Sequence, residues 1–220
     1  MDNRRLVILV EGESELMFIN QQVIPELYKR TKVAWSIEAC KVITNRQLNK
    51  KGGSINYEYL LNDVRRFSAQ GCDVITTFLD FFRLPTSFPG YTSDGSQIDT
   101  VEEAIRQDVR GKIADLRVFI PYLQKYEFEA LLFSSMDGFR YLIDDNGILE
   151  TIEKIFNQYL NPEDINGGEL AAPSKRLLSI FNYNKVADSS EMLTIIGFDT
   201  IYSKCPRFSS WFDRLVGVIQ

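Results

Sequence analysis

The stretch RRLVILVEGESE, residues 4–15, decides how the first part of the chain folds. Its apolar run, residues 6–10, is of the kind that forms a fully buried strand. The run ends at Glu11, and a helical pattern begins within the next few residues, before Glu15. Open α/β sheets place their chemistry at the edge where the central parallel strands end. We therefore expect Glu11 to lie in the functional site.

A second apolar run, DVITTFL at residues 73–79, also ends in an acid, Asp80. Between the two runs, the sequence predicts a helix over residues 13–30 that is interrupted at Pro25. A strand rich in β-branched residues over residues 33–44 and a second helix over residues 56–70 follow. Strands that alternate with helices predict right-handed crossovers and a largely parallel sheet. Adjacent strands of such a sheet end at the same edge, so Glu11 and Asp80 are expected to be neighbours.

The second half of the chain is mainly helical in pattern. Residues 45–54 and 84–95 predict loops, because polar residues dominate the first and Pro, Gly and Ser the second. A strand is expected over residues 116–123, and helices over 99–114, 138–159, 173–181, 190–202 and 206–218. In the last helix, Phe208, Trp211, Phe212 and Leu215 have the spacing of a core-packing face. The fold class predicted is α/β, a largely parallel sheet flanked by helices with a helical C-terminal extension. We expect a single unit, residues 1–220, with an α/β core over about residues 1–125 and a helical lobe over about residues 126–220.

Composition excludes several classes of chemistry. The chain has no histidine, which removes Ser-His and Cys-His nucleophiles and most zinc sites. Its three cysteines lack CxxC spacing, so neither a disulfide framework nor a thiolate zinc site is indicated. A net charge of -5 opposes broad electrostatic capture of nucleic acid. The sequence has no stretch apolar enough to predict a membrane span, and we expect a cytoplasmic protein.

Acidic residues follow three of the predicted strands, and they are candidate ligands of Mg²⁺ or Mn²⁺: Glu11, Glu15, Asp80, Glu127 and Glu129. Divalent ions held by such carboxylates can activate water and stabilise the leaving oxygen of a phosphodiester without histidine. Glu11 is costly at the end of a buried strand unless it meets a metal, a base or water, whereas the other four acids also have a structural explanation. Glu15, Glu127 and Glu129 are suited to the first turn of a helix, and Asp80 to a turn or cap. If a helix starts at Glu127, at most one of Glu127 and Glu129 is expected to reach a metal.

Candidate phosphate-binding groups come late in the chain. Pro173 and the following residues predict a helix start, and a helix N-terminus that carries Ser174, Lys175 and Arg176 is a natural phosphate site. Lys185 follows in the string NYNKV. Solvated surface charge is the alternative explanation for each of these cations.

Several ordered segments carry a resemblance to a known family: VEGESE, TFLDFFRLPTSFPG, FIPYLQKYEFEALLF, PEDINGGELAAPSKRL, YNKV and CPRFSSWFDRL. Together they resemble a bacterial and archaeal family of unknown function with a TOPRIM-like fold, often encoded beside an ATPase. The resemblance covers nearly the whole chain. It implies Mg²⁺-dependent phosphodiester cleavage or transfer, and similarity to the nuclease half of overcoming-lysogenization-defect proteins and to defence systems that pair an ATPase with a TOPRIM nuclease.

Carried onto this chain, the resemblance gives Glu11 the role of the TOPRIM glutamate and Glu15 that of the helix acid of the nuclease branch. Asp80 takes the place of the first acid of the DxD motif. The second acid of that motif is replaced by Phe82, which leaves a two-metal site one ligand short unless Glu127 or Glu129 replaces it. Where relatives are expected to carry histidine before EFEALLF, this chain has Tyr126.

The resulting hypothesis is a Mg²⁺-dependent nuclease subunit of an anti-phage system, acting on DNA or RNA with an AAA or ABC-type ATPase encoded nearby. In it, Glu11, Asp80 and Glu15 hold the metal, a metal-bound water attacks phosphorus, and Lys175, Arg176 or Lys185 neutralises the phosphate. The alternative is a TOPRIM module that no longer cleaves and serves as a binding or regulatory subunit of its ATPase. The missing DxD acid and the negative net charge favour this alternative.

Overall fold

The computed structural model describes residues 4–45, 50–52, 55–165 and 172–220. The chain divides into two compact units. The first runs to residue 123 and also includes residues 214–220, and the second comprises residues 124–213. The division falls close to the point at which the sequence pattern turns helical. Among the described residues, no helix combines the length and the apolar character needed to cross a bilayer.

The first unit is built on a parallel sheet, and its α/β class is as predicted. The strands of the described residues are β1 (Arg4–Val10), β2 (Trp35–Lys41), β3 (Ile43–Asn45), β4 (Lys50–Lys51), β5 (Val74–Asp80), β6 (Val118–Ile120) and β7 (Leu123–Gln124). The sheet has the order β2-β1-β5-β6, with parallel pairing throughout that path, and β7 also pairs with β5. Strands β3 and β4 form a separate antiparallel pair.

Strand β1 is one of the two inner strands of this order, because it pairs with β2 on one side and β5 on the other. Its residues 6–10 are all 0% exposed, which explains why they form a continuous apolar run rather than an alternating one. At its end, Val10 is aligned with Lys41 of β2 and with Phe78 of β5. The carboxyl ends of three adjacent strands therefore meet at one edge.

The described helices of the first unit are α1 (Glu13–Phe18), α2 (Ile24–Arg30), α3 (Tyr57–Ala69) and α4 (Ile98–Lys112). A π-helical segment, Ile19–Val23, joins α1 to α2, so the helical run predicted over residues 13–30 is continuous. Pro25 lies at the start of α2, directly after this segment, where its missing amide donor is tolerated. Helix α3 starts where the Asn56 side chain accepts a hydrogen bond from the Tyr59 amide.

The second unit is helical, as predicted for the C-terminal part. Its sequence forms a 3₁₀ segment, Phe128–Ser134, and helices α5 (Met136–Leu142), α6 (Asn146–Gln158), α7 (Pro173–Ile180), α8 (Ala187–Ile196), α9 (Phe198–Lys204) and α10 (Pro206–Ile219). The last helix contributes residues to both units. Its predicted core face is confirmed, since Phe208, Trp211, Phe212 and Leu215 are all 0% exposed.

Several predicted elements are wrong in their continuity. The helix expected over residues 138–159 is two helices, because Asp145 caps the N-terminus of α6 with hydrogen bonds from the Gly147 and Ile148 amides. The helix expected over residues 190–202 is broken at Gly197, whose φ of 76° is incompatible with a helix. The strand expected over residues 116–123 is interrupted at Pro121, which has no amide to donate to a neighbouring strand.

The second strand is also shorter than predicted over residues 33–44. It stops at Lys41, and the Val42 amide donates instead to the Val10 carbonyl. The polar loop predicted over residues 45–54 lies partly outside the described residues, as does the middle of the segment PEDINGGELAAPSKRL.

Candidate functional site

The ends of β1 and β5 lie side by side at the carboxyl edge of the sheet. Val10, the last residue of β1, is in register with Phe78 of β5. Glu11 follows Val10 directly, and Asp80 ends β5 two residues beyond Phe78. Both acids are partly exposed. The structure therefore places two carboxylate residues at the ends of neighbouring parallel strands.

Glu15 lies in helix α1, and its carboxylate lies over the turn that follows Glu11. A Cβ atom added at Gly12 would approach Glu15 Oε2 to 2.6 Å, so the absence of a side chain at Gly12 leaves room for this carboxylate. Glu15 is only 2% exposed, whereas Glu13 in the same turn is exposed. An acid whose only role is to complement the helix dipole can stay exposed to solvent. The position of Glu15 therefore resembles that of a site residue more than a surface acid.

Gly52 approaches the candidate site from the β3–β4 pair. Its φ is 75°, and a Cβ at this position would lie 2.6 Å from the Glu11 carbonyl oxygen. Hydrogen bonds hold the residue there, since its amide donates to the Val42 carbonyl at 2.8 Å and its carbonyl accepts from Thr44 Oγ1 at 2.9 Å. A glycine is required at this position because of both its left-handed backbone and the close approach.

Glu127 belongs to the second unit and caps helix α7. Its carboxylate accepts hydrogen bonds from the amide and from the hydroxyl of Ser174, both at 2.9 Å. These Ser174 donors are the groups that the sequence predicted for phosphate binding, so an anion at this helix N-terminus would have to displace Glu127. The structural alternative for Glu127 was that of an acid at the start of a helix. The structure shows such a role, although the helix that Glu127 caps is α7, which begins far along the chain.

Glu129 and Lys185, predicted as a metal ligand and a phosphate-neutralising cation, lie together in the second unit. Glu129 is 0% exposed, and its Oε1 lies 3.2 Å from Lys185 Nζ. Burial of a carboxylate is costly unless a partner compensates, and the ammonium group supplies that partner. Lys175 is exposed, and an Arg176 Nη2 group lies 3.5 Å from the Tyr159 hydroxyl.

The predicted metal ligands fall in both units: Glu11, Glu15 and Asp80 belong to the first, Glu127 and Glu129 to the second. Within the part of the chain that the structure describes, no group of three or more Cys, Asp or Glu side chains is arranged to hold a metal ion. Mg²⁺ is often bound through only one or two carboxylates, with water completing its shell. The two acids at the carboxyl edge match that number of carboxylates, and a two-metal centre needs more ligands than this pair.

Residues 10–216 match the sequence model of a family described as "Domain of unknown function (DUF4276)". The chain belongs to the DUF4276 family. No curated protein and no solved structure matches it. The predicted membership of a family of unknown function is confirmed at this level, and the TOPRIM resemblance stays a prediction. The DUF4276 match includes both Glu11 and Asp80, so the carboxyl edge lies within the family domain.

Two cations in this DUF4276 chain adjoin the edge without having been singled out in the sequence. Lys41 ends β2, in register with Val10, and forms an ion pair with Glu13. Arg83 follows Asp80 closely and adopts a left-handed backbone, with a φ of 61°. Such conformations in residues other than glycine concentrate at functional sites. Sequence reasoning missed both residues, because the second strand was predicted to continue to residue 44 and because nothing in the local sequence indicates the left-handed backbone of Arg83.

Buried thiols offer no alternative nucleophile in this family member. Burial raises the pKa of Cys72 to about 11, so its thiol stays protonated at neutral pH. Burial and, to a lesser extent, the nearby Glu163 carboxylate also raise the pKa of Cys205 above the ordinary value of a thiol. Neither of these two buried thiols is therefore a ready nucleophile, whereas the third cysteine, Cys40 of β2, is only partly buried.

Proposed function

We propose that this DUF4276 protein is a Mg²⁺-dependent, phosphodiester-cleaving nuclease subunit whose site lies at the carboxyl edge of its sheet. The observation that carries the proposal is the placement of Glu11 and Asp80 at the ends of adjacent parallel strands. This is the edge at which open α/β sheets bind their ligands. The absence of histidine from the sequence leaves oxygen ligands as the natural basis for hydrolysis.

In this proposal Glu11 and Asp80 hold Mg²⁺ or Mn²⁺, and Glu15 supports the site from helix α1. The ion, when bound, lowers the pKa of water and stabilises charge on a phosphoryl group. Lys41 and Arg83 lie in the same unit and offset the charge of a bound phosphate. The sequence also suggests phosphate binding by Lys175, Arg176 and Lys185, and Arg176 and Lys185 can do so only if the substrate displaces their contacts with Tyr159 and Glu129.

The proposed substrate is nucleic acid, either DNA or RNA, and the proposed partner is an AAA or ABC-type ATPase encoded nearby. The family resemblance supports the ATPase and the anti-phage setting, and the proposed cytoplasmic location rests on the lack of a predicted membrane span in the sequence. A net charge of -5 gives the chain no general attraction to a polyanion. A partner that presents the substrate is therefore a natural part of the proposal.

A second candidate function is a binding or regulatory subunit of that ATPase without cleavage activity. Phe82 stands where the second DxD acid is expected, and the described residues contain no group of three potential ligands. Both observations favour a site that has lost part of its metal-binding capacity.

The test is to incubate the full chain, with and without the neighbouring ATPase, with plasmid DNA and with RNA, in Mg²⁺, in Mn²⁺ and in EDTA. We expect metal-dependent cleavage that Asp80→Asn and Glu11→Gln each reduce by at least about 100-fold, because a metal ion contributes several kcal/mol to such reactions. Glu191→Gln removes an exposed carboxylate from the second unit and is the matched control.

Undiminished cleavage by Asp80→Asn would refute the proposed site. Lack of cleavage under every condition, together with binding of the ATPase, would support the second candidate instead.

A further inference from the structure

Asp63 is a buried acid in the middle of helix α3, and one of its oxygens holds the start of strand β3. Its side chain is 1% exposed, and its Oδ2 accepts a hydrogen bond from the Ile43 amide at 2.7 Å. We propose that Asp63 is a positioning residue, which fixes the β3–β4 pair and, through it, the direction of the Glu11 carboxylate. The part of this inference that concerns metal binding rests on the proposed function.

The chain passes from the parallel sheet to the β3–β4 pair at Val42 and Ile43. The Val42 amide still donates to the Val10 carbonyl at the end of β1, at 3.0 Å. The next amide, that of Ile43, donates to the Asp63 carboxylate instead. A partly buried amide that leaves a sheet needs another acceptor, because an unpaired one is costly. Asp63 therefore supplies the acceptor at the point where the chain changes direction.

The same two residues set the position of Gly52. Ile43 lies directly opposite Lys51 in the antiparallel pair, and Gly52 is the next residue. The Gly52 amide donates to the Val42 carbonyl at 2.8 Å. Val42 is 0% exposed, so packing confines it in addition to its two backbone hydrogen bonds. A displacement of Ile43 would therefore reach Gly52 through bonded backbone neighbours.

Gly52 in turn lies against the backbone of Glu11. A Cβ added to Gly52 would come within 2.6 Å of the Glu11 carbonyl oxygen, and the preceding carbonyl, that of Val10, accepts from Val42. These two carbonyls belong to the peptide groups on either side of the Glu11 Cα. Contacts to both groups fix the direction in which the Glu11 side chain leaves the backbone. Such control matters at a metal site, because ligands must be held to within about 0.5 Å.

Asp63 also has a purely structural explanation. Its Oδ1 lies 3.1 Å from Arg66 Nε, and this ion pair compensates for the buried charge. The contact with Arg66 stays within α3, whereas the bond to Ile43 joins α3 to another element. If Asp63 only stabilises the fold, loss of either contact should leave the site unchanged. If it positions Glu11, loss of the Ile43 bond should change the site.

The test is isothermal titration of the full chain with Mn²⁺, in the parent and in three variants. Asp63→Ala should weaken Mn²⁺ binding about tenfold, as loss of a residue that orients a ligand usually does, although Glu11 and Asp80 are unchanged. Asp63→Asn keeps a carbonyl oxygen for the Ile43 amide and should restore the affinity of the parent. Arg66→Gln is the matched control, because it removes the other contact of the same carboxylate. It should lower the melting temperature and bind Mn²⁺ as the parent does.

Amide hydrogen exchange, followed by NMR, gives a second measurement that needs no metal. In Asp63→Ala we expect the Gly52 amide to exchange faster than in the parent, because Val42, which carries its acceptor, is no longer held from the side of α3. Ile8 is a buried residue of β1, and its amide reports on the stability of the sheet. Its exchange should rise less than that of Gly52. Arg66→Gln should leave the difference between the two amides as it is in the parent.

Mn²⁺ binding by Asp63→Ala that matches the parent, or equal weakening by Arg66→Gln or by Asp63→Asn, would overturn the proposal. Gly52 exchange that Asp63→Ala leaves unchanged, or accelerates only as much as that of Ile8, would overturn it as well. If the parent itself binds no Mn²⁺, the proposed nuclease site fails. The exchange of Gly52 then decides alone whether Asp63 positions the end of β1.

Discussion

Gly52 illustrates how a single residue can set the position of a site acid. Its backbone carries a φ of 75°, and it lies against the Glu11 carbonyl, where a Cβ would come within 2.6 Å of the oxygen. The obstacle is a backbone atom and not the end of a flexible side chain. Either the β3–β4 pair or the end of β1 must therefore move to make room for any larger residue.

We expect Gly52→Ala to lower the free energy of unfolding by about 3 kcal/mol, from the left-handed backbone and the added clash together. Gly71 has the same φ of 75° but nothing within 4 Å of its added Cβ. Gly71→Ala should therefore cost only the backbone term, about 1 kcal/mol. Urea denaturation of the two variants measures the difference, and equal losses would show that the approach to Glu11 imposes no constraint.

At the scale of secondary-structure elements, helix α10 depends on a buried acid from an earlier segment. Glu163 is 0% exposed and accepts hydrogen bonds from the amides of Arg207, at 2.7 Å, and Phe208, at 3.1 Å. These amides lie in the first turn of the helix, where no intrahelical partner exists. Burial raises the pKa of Glu163, although these amides and the charge of Arg207 oppose the shift.

This raised pKa makes part of the stability depend on pH. The folded chain holds the Glu163 proton more tightly than the unfolded chain, so the stabilisation is complete below the ordinary pKa of glutamate. It is lost as the pH rises through the folded-state pKa. Glu163→Gln cannot titrate. We expect the melting temperature of the parent to fall relative to that of Glu163→Gln as the pH rises from the ordinary pKa of glutamate through the folded-state pKa of Glu163.

Thermal unfolding of both proteins across this range measures the effect. Asp164→Asn is the matched control, because Asp164 is the exposed neighbour and forms a surface ion pair with Lys125 at 2.6 Å. A constant or growing advantage of the parent over Glu163→Gln with rising pH would contradict the predicted sign.

On the scale of the whole molecule, the first unit contains residues from both ends of the described chain. Residues 214–220 group with the α/β unit, and Trp35 Nε1 of strand β2 donates a hydrogen bond to the Ile219 carbonyl at 2.9 Å. Leu215 and Ile219 are both 0% exposed. The stability of this unit therefore depends on residues that are most distant from it in sequence.

We expect Leu215→Ala to reduce the free energy of unfolding by about 2–5 kcal/mol, as for other fully buried leucines. Val218 lies in the same helix and is 36% exposed. Val218→Ala should cost less than about 1 kcal/mol, because less apolar surface is lost and alanine favours the helix. Urea denaturation followed by tryptophan fluorescence tests both values, and a small loss for Leu215→Ala would show that the C-terminal residues contribute little.

Local sequence patterns predicted much of the fold because the relevant interactions repeat along the chain. Two largely apolar runs predicted the central parallel strands, and the 3.6-residue spacing of Phe208, Trp211, Phe212 and Leu215 predicted a buried helix face. The breaks at Gly197 and at Pro121 were missed, although both residues are known to end regular structure, because the apolar pattern continues across them.

The sequence by itself determined the parallel sheet, the acids at the ends of β1 and β5 and the helical second half, since hydrophobic periodicity and chain order suffice to specify them. Only the tertiary structure decided that Glu127 caps α7 and that Lys185 pairs with Glu129. Each of these contacts joins segments or surfaces that no local pattern relates. The energies of these contacts depend on distance in space and on burial, and neither quantity can be deduced from the local sequence.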